Sequence, residues 1–427
     1  MSKLYAGTRR IDITPKLGHN LAGWHLRREA ERCITPILAR ALVLDNGTLR
    51  IVIISCDLLA VQEPLSILIR EEAAKAAGTN ADNVFIFPSH NHYGPDVDVK
   101  IFSDNGIQTS LEKEYINNLP GMIAACVKEA CQKMQEVLYG YAFGKEEDVL
   151  INSRFRRKDG LINWVGDISM ASELGLVDPQ LSVISFVDEN RKPVATIYHY
   201  GCHANCGEKD GLKSISWDWC GYASEAIEKS LGGEAFFILG PCGDIHPKEY
   251  GVSKEMGEKV AEAAVEITKN INYKDLGNLS TAVNTVELKR RDFTKYDRTQ
   301  IRDFCSQVED IETRQEIEKF CYELLNEELK KPAGHVKVRV GAILIGDIAI
   351  SCIPGELFVE LGIEIKQRSS LKPVLVAEIV NDYIGYIPTN KAYTDGGYQV
   401  STVAKLEVGS GEEIVEKALE TIERLKM

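Results

Sequence analysis

Short apolar, β-branched runs alternate with helix-length amphipathic stretches along this chain, and that alternation restricts its fold more than any other feature. "LRIVIISC" (49–56) reads as a buried strand, and "LSILIREEAAKAAG" (65–78) as a helix stopped by Gly78. "NVFIFPS" (83–89) reads as a second strand. Residues 112–138 read as a helix that Pro120 kinks or breaks. Further strands are expected from near 193, 234 and 373, and helices near 218–230, 253–269 and 412–425. "GAILIGDIAISCIPGE" (341–356) reads as a hairpin turning at Gly346-Asp347. The expectation is an α/β fold with a mixed, largely parallel sheet flanked by helices. Residues 291–332 are polar and helical and read as an insertion or a cap over the sheet. Neither repeats nor linkers interrupt the chain, so 1–427 is read as a single domain.

Composition narrows the function. Lysine and arginine number 50 and aspartate and glutamate 63, a formal charge of −13. No basic patch or stripe is evident, which argues against nucleic acid and against stable membrane association. The N-terminus shows no apolar signal region, and no run nears the roughly 18 residues of a membrane span. Eleven cysteines, an odd number, read as reduced thiols. The expected location is therefore cytoplasmic, with a small molecule as partner; a homo-oligomer is compatible with the sequence but not required by it.

Five polar clusters follow strand patterns: "SHNHYGPD", "HYGCHANC", "GPCGDIHP", "PGE" and "NDYIGY". Ligands of open α/β sheets collect beyond the carboxyl ends of strands. Five of the eight histidines fall there: His90, His92, His199, His203 and His246, leaving His19, His25 and His335 elsewhere. In an extended segment, residues two apart share a face, so His90 and His92 could point into one pocket; equally, they could tie down the turn at Gly94-Pro95. Cys202 and Cys206 flank His203 at a spacing unlike a zinc knuckle and read as core packing. His199 reads as a satisfied buried histidine. Buried carboxylates need partners. For Asp57 and Asp244, orienting a metal-bound histidine is one such job. Asp218 reads at least as well as a helix cap.

Taken together, these motifs resemble the catalytic domain of the neutral/alkaline non-lysosomal ceramidases, and they do so in order over nearly the whole chain. "GTRRIDITP" with "LAGW" is similar to the family's N-terminal segment, "SHNHYGP" to "SHTHSGP", and "INSR" (151–154) to its N-R-S segment. "YGCHAN", "GPCGDIHP", "IPGE" and "NDYIGYIPT" with "GGYQ" match the remaining motifs. The resemblance implies one zinc ion per chain, held by His90, His203, Glu356 and Tyr386. It places His92, Arg154 and Tyr398 on catalytic, substrate-polarising positions. The family's serine before "NxGD" is replaced by Gly240, and the chain ends in a helix where ceramidases carry a β-sandwich domain. A small soluble substrate is therefore expected in place of ceramide.

The expected reaction is hydrolysis of an amide bond by metal-activated water. Arg154 and Tyr398 would donate to the oxyanion and His92 would pass a proton to the leaving amine. The alternatives are an esterase, deacetylase or lyase acting on a small polar substrate, or a metal-stabilised binding protein without turnover.

Overall fold

The computed structural model describes residues 3–24, 27–97, 109–164, 168–209, 211–275, 278–296 and 298–426. His25 lies outside them. An eight-stranded sheet runs in the order Glu234–Leu239, Pro193–Tyr200, Gln180–Val187, Gln135–Lys145, Leu4–Asp12, Leu38–Asp45, Arg50–Cys56, Val84–Pro88. A second sheet orders Leu279–Lys289, His335–Ile345, Ile348–Cys352 and Val374–Ala377. The two sheets share a buried layer that includes Ile53, Phe85, Phe236, Ile343, Ile350 and Leu375. Helices cover the outer faces. Leu65–Ala77 and Ser110–Gln132 pack on one half of the large sheet, and Asp218–Leu231 and Ser253–Thr268 on the other. Val359–Arg368 and Ser410–Arg424 pack on the small sheet.

This layering explains the sequence pattern. The strand Arg50–Cys56 is buried on both faces after its first residue, so it reads as a continuous apolar run and not as an alternation. The helix Ser410–Arg424 is covered on one side only. It buries Ile414, Val415, Ala418, Thr421 and Ile422, one stripe at helical spacing.

Two expectations are corrected. The sheet is mixed but not largely parallel: five of its pairings are antiparallel and two are parallel. Tight turns make the difference, at Gly47 (φ +84°) and at Arg191 (φ +64°). The parallel pairs are those whose connections pass through the helices Leu65–Ala77 and Asp218–Leu231, as parallel pairing requires. The helix Ser110–Gln132 runs unbroken through Pro120 and stops short of 138. An internal proline costs about 3 kcal/mol, offset here by burial of Leu119, Ile123 and Val127. Residues from Gln135 onward pair with Leu4–Ala6 and with Gln180–Val187 instead. Finally, the 291–332 segment is helical as expected (Thr299–Cys305 and Ile311–Lys330). Its core of Phe293, Ile301, Phe304, Ile317 and Leu325 packs on Trp164 and Tyr398, so it roofs the cavity described below. Among the described residues no helix is long and apolar enough to cross a membrane.

Candidate active site

Main-chain hydrogen bonds stitch the polar strand-end clusters together. His92 N donates to Ala204 O (3.0 Å), His203 N to Ile245 O (3.1 Å), Gly243 N to Leu357 O (3.1 Å) and Glu356 N to Gly385 O (3.0 Å). A short parallel ladder sets Glu356 beside Tyr386. In the first cluster Asn91 turns inward and donates to Asp57 O (3.2 Å) and Ser216 O (2.7 Å). His90 is held at φ +60°, a conformation that non-glycine residues adopt mainly where the surroundings enforce it. The pinned Asn91 leaves the imidazoles on either side of it facing one point.

The rings of His90, His92 and His203 have centroids 4.7–5.6 Å apart, and their donor atoms lie within 4.8 Å of one another. Each Nδ1 faces a main-chain carbonyl: Leu59 O at 3.1 Å for His90, Gly23 O at 3.0 Å for His92, Ile245 O at 3.1 Å for His203. A carbonyl can only accept, so each Nδ1 carries the proton and each Nε2 presents a lone pair. Glu356 Oε2 lies 3.4 Å from His90 Nε2 and 3.2 Å from His203 Nε2. Ligands of a tetrahedral zinc at about 2.0–2.1 Å sit roughly 3.4 Å apart, so this spacing fits a shared cation. Among the described residues, His92 Nε2, His203 Nε2 and Glu356 Oε2 are buried without a hydrogen-bond partner, an arrangement that costs about 1–3 kcal/mol per group when nothing bridges them. The residues present therefore fit a divalent metal.

Electrostatics agrees with that chemistry. Burial, with His90 and His203 adding to it, holds His92 well below its usual pKa. Burial also lowers His203, against the pull of Glu356. Burial pushes the Glu356 carboxyl up, but His90 and His203 outweigh it and hold the group well below the usual range. Lowered His92 and His203 beside a carboxylate that stays ionised favour the protonation states that ligate a cation.

These groups open into a cavity of about 330 Å³, walled by Trp24, Leu59, Trp164, Val308, Ile317 and Val403 along with the polar residues. Tyr386 and Tyr398 line it too, and Tyr398 stacks on Trp164 at 5.4 Å. Three participants were given no role from sequence. Tyr383 donates its phenol proton to Glu356 Oε1. His246 stacks on His203 at 4.3 Å. Arg28 donates to His92 O at 2.7 Å. The His-rich spacing pointed to the loops but not to these contacts, which chain folding alone determines.

Several expected roles do not match the geometry. Arg154 lines an adjoining polar cavity of about 200 Å³, and its guanidinium is engaged by Gln399 Oε1 (3.0 Å) and Gly396 O (2.8 Å). Asp57 accepts from Leu38 N (2.8 Å) and faces Arg40 at 3.6 Å. Asp244 accepts from Asn152 Nδ2 (2.8 Å) and Val359 N (2.9 Å). Neither carboxylate orients a histidine, because carbonyls already hold the three Nδ1 atoms. Gly240 packs on His199, where a Cβ would lie 3.0 Å from the ring, and it lines neither cavity. Asp218 is no side-chain cap: it accepts from Gly207 N (3.0 Å) and Trp219 N (2.5 Å). His199 is satisfied on one side, Nε2 against Val376 O at 2.7 Å, while its Nδ1 has no partner. Cys202 and Cys206 are buried free thiols, as expected.

No protein-family model matches the chain. Over 294 residues, 64% of the chain, it is 23% identical to the neutral ceramidase of Pseudomonas aeruginosa. That match spans 42% of the relative's length. Among solved structures, the neutral ceramidase of Pseudomonas aeruginosa covers the whole chain at a TM-score of 0.74 and 19% identity, with 75% of that protein matched. A ceramidase complexed with C2 also covers the whole chain, at a TM-score of 0.72 and 17% identity, with 76% matched. The expected resemblance and the mixed α/β fold are both borne out.

Proposed function

From a chain that shares the fold of neutral ceramidase and part of its sequence, we propose a metal-dependent hydrolase that cleaves the amide bond of an N-acyl compound. One observation carries this reading: three imidazole Nε2 atoms and Glu356 Oε2 converge, buried and largely unpartnered, in the wall of a largely apolar cavity. His90, His203 and Glu356 are the proposed ligands, with Tyr386 beside Glu356 as the fourth, and zinc is the proposed ion on the strength of two nitrogens and a carboxylate. When bound, such an ion supplies Lewis acidity and an acidified water.

The chain's own residues do the rest. Tyr383 fixes Glu356 from its outer oxygen. His92, held at Nδ1 by Gly23 O, presents an Nε2 lone pair that takes a proton from the attacking water and delivers it to the leaving amine. Tyr398, braced by Trp164, orients the substrate within the cavity. The indoles and Ile317 receive the apolar acyl part. Because all eleven cysteines are free thiols, we also place the protein in a reducing compartment, the cytoplasm.

The test is elemental analysis of protein purified without added metal, followed by a panel of N-acyl and O-acyl compounds with and without chelator. One zinc per chain and chelator-sensitive amide cleavage are expected. Absence of metal, or turnover indifferent to chelator, overturns the reading, and a preference for O-acyl substrates makes the protein an esterase.

A further inference from the structure

His246 belongs to none of the roles assigned so far, yet its ring is in the cavity wall, stacked on His203 with an interplanar angle of 25°. Its hydrogen bonding is opposite in sense to that of the other three imidazoles. His90, His92 and His203 each turn Nδ1 to a carbonyl oxygen and so carry the proton there. His246 Nδ1 instead meets the amide Nδ2 of Asn205 at 3.3 Å and the hydroxyl of Tyr250 at 3.0 Å. An amide nitrogen can only donate, so His246 Nδ1 is the acceptor and the ring's proton sits on Nε2. That Nε2 is buried and has no hydrogen-bond partner among the described residues. A neutral imidazole with a free, buried N–H in the wall of a reaction cavity is a preorganised donor, and such donors act on charge that develops on an oxygen in the transition state.

Of the two donors that sequence suggested for this task, Tyr398 lines this cavity but Arg154 does not. Arg154 is committed to Gln399 and Gly396 and faces the adjoining cavity. Tyr383 gives its proton to Glu356. We propose that His246, through Nε2–H, is an oxyanion donor of this site: it hydrogen-bonds the carbonyl oxygen of the bound substrate and strengthens that bond as the oxygen becomes negative. Asn205 and Tyr250 are positioning residues that fix the tautomer. The proposal rests on the hydrolase reading above for its substrate, but the donor itself can be read without turnover.

The experiment uses zinc-loaded full-length protein and the variants His246→Ala and His246→Gln. Glutamine places an N–H near the position of the imidazole Nε2. The probe is n-butylphosphonate, a tetrahedral anion, with affinity measured by calorimetry and zinc content by elemental analysis. His246→Ala should keep its zinc, bind the probe roughly a hundredfold more weakly, and lose roughly a hundredfold or more in kcat/KM on whichever N-acyl compound the wild type cleaves. His246→Gln should recover most of the affinity, and it is the informative variant if the alanine form does not fold. Probe affinity unchanged in both variants overturns the proposal. So does zinc loss from His246→Ala, which would make His246 a ligand. If the wild type cleaves no acyl compound while probe affinity still falls, the donor stands and the hydrolase reading fails.

Discussion

Four imidazoles and one carboxylate share this cavity, and the partner at Nδ1 sets His246 apart from the other three rings. The proposed ligand set predicts that His90→Ala, His203→Ala and Glu356→Gln each drop zinc below half occupancy by elemental analysis, while Cys202→Ser and Cys206→Ser keep it. Full zinc in a histidine variant, or loss in a cysteine variant, would move the site elsewhere. His92→Ala tests the role proposed for that ring: zinc retained with turnover lost. Gly23 bears on the same ring from outside, since its backbone is at φ +83° and a Cβ there would lie 2.2 Å from His92 Nδ1. Gly23→Ala should displace the ring and cost roughly a hundredfold in turnover, checked by kcat and zinc content together. Asp218 gives a pH signature away from the site. Burial raises its carboxyl from 3.8 to about 7, so the folded state holds a proton the unfolded state has lost between those values. Stability from this group is present at low pH and falls as pH rises toward and through about 7, by about 1.4 kcal/mol per unit. Asp218→Asn, which keeps one of the two acceptor oxygens and so accepts from Gly207 or Trp219 but not both, should lower overall stability and flatten that decline in denaturant unfolding from pH 5 to 8. An unchanged slope would refute it. Residue types and loop positions were legible in the sequence. Tautomers, the Tyr383–Glu356 bond and the direction of Arg154 were not, because each depends on side chains brought together from distant segments.

At the scale of elements, the sequence revealed the strands whose faces are both covered, and it placed "SHNH", "CHAN", "GDIHP" and "PGE" at their ends. It misjudged pairing direction and the run through Pro120, since both are decided by partners far along the chain. The roof is the element with most influence on specificity. Ile317 sits in the helix Ile311–Lys330, is 3% exposed within the roof's own core, and also reaches the cavity. Ile317→Ala should cost about 2–4 kcal/mol by the removal of buried methylenes. The space gained lies beside Trp164 and Val308 and far from the proposed metal ligands along the chain. The variant should therefore shift the preferred acyl chain toward greater length with zinc content unchanged. Competition kinetics between two N-acyl compounds of different chain length would show it, and an unaltered ratio would remove the roof from the specificity argument.

For the molecule as a whole, the question is how an apolar acyl chain reaches a site roofed by helices in a protein of charge −13. The cavity of about 330 Å³ lies at the low end of the roughly 300–1,000 Å³ spanned by small-molecule sites. A long-chain substrate would leave most of its hydrocarbon outside, forfeiting about 0.8 kcal/mol for each methylene not buried. Nor does the overall charge help the protein onto an anionic bilayer, where each basic residue near the surface would contribute about 1 kcal/mol of attraction. Although the solved relatives are ceramidases, the cavity and the charge together favour a short N-acyl compound taken from solution. The expected outcome is turnover of soluble short-chain N-acyl amines, weak turnover of long-chain ceramide in zwitterionic vesicles, and weaker still when anionic lipid is added at low salt. Raising the ionic strength should narrow the gap between the two vesicle types, because screening shortens the reach of the repulsion to about 8 Å. Efficient cleavage of long-chain ceramide in anionic vesicles, insensitive to salt, would show that the roof opens to a membrane and that charge plays no part in access.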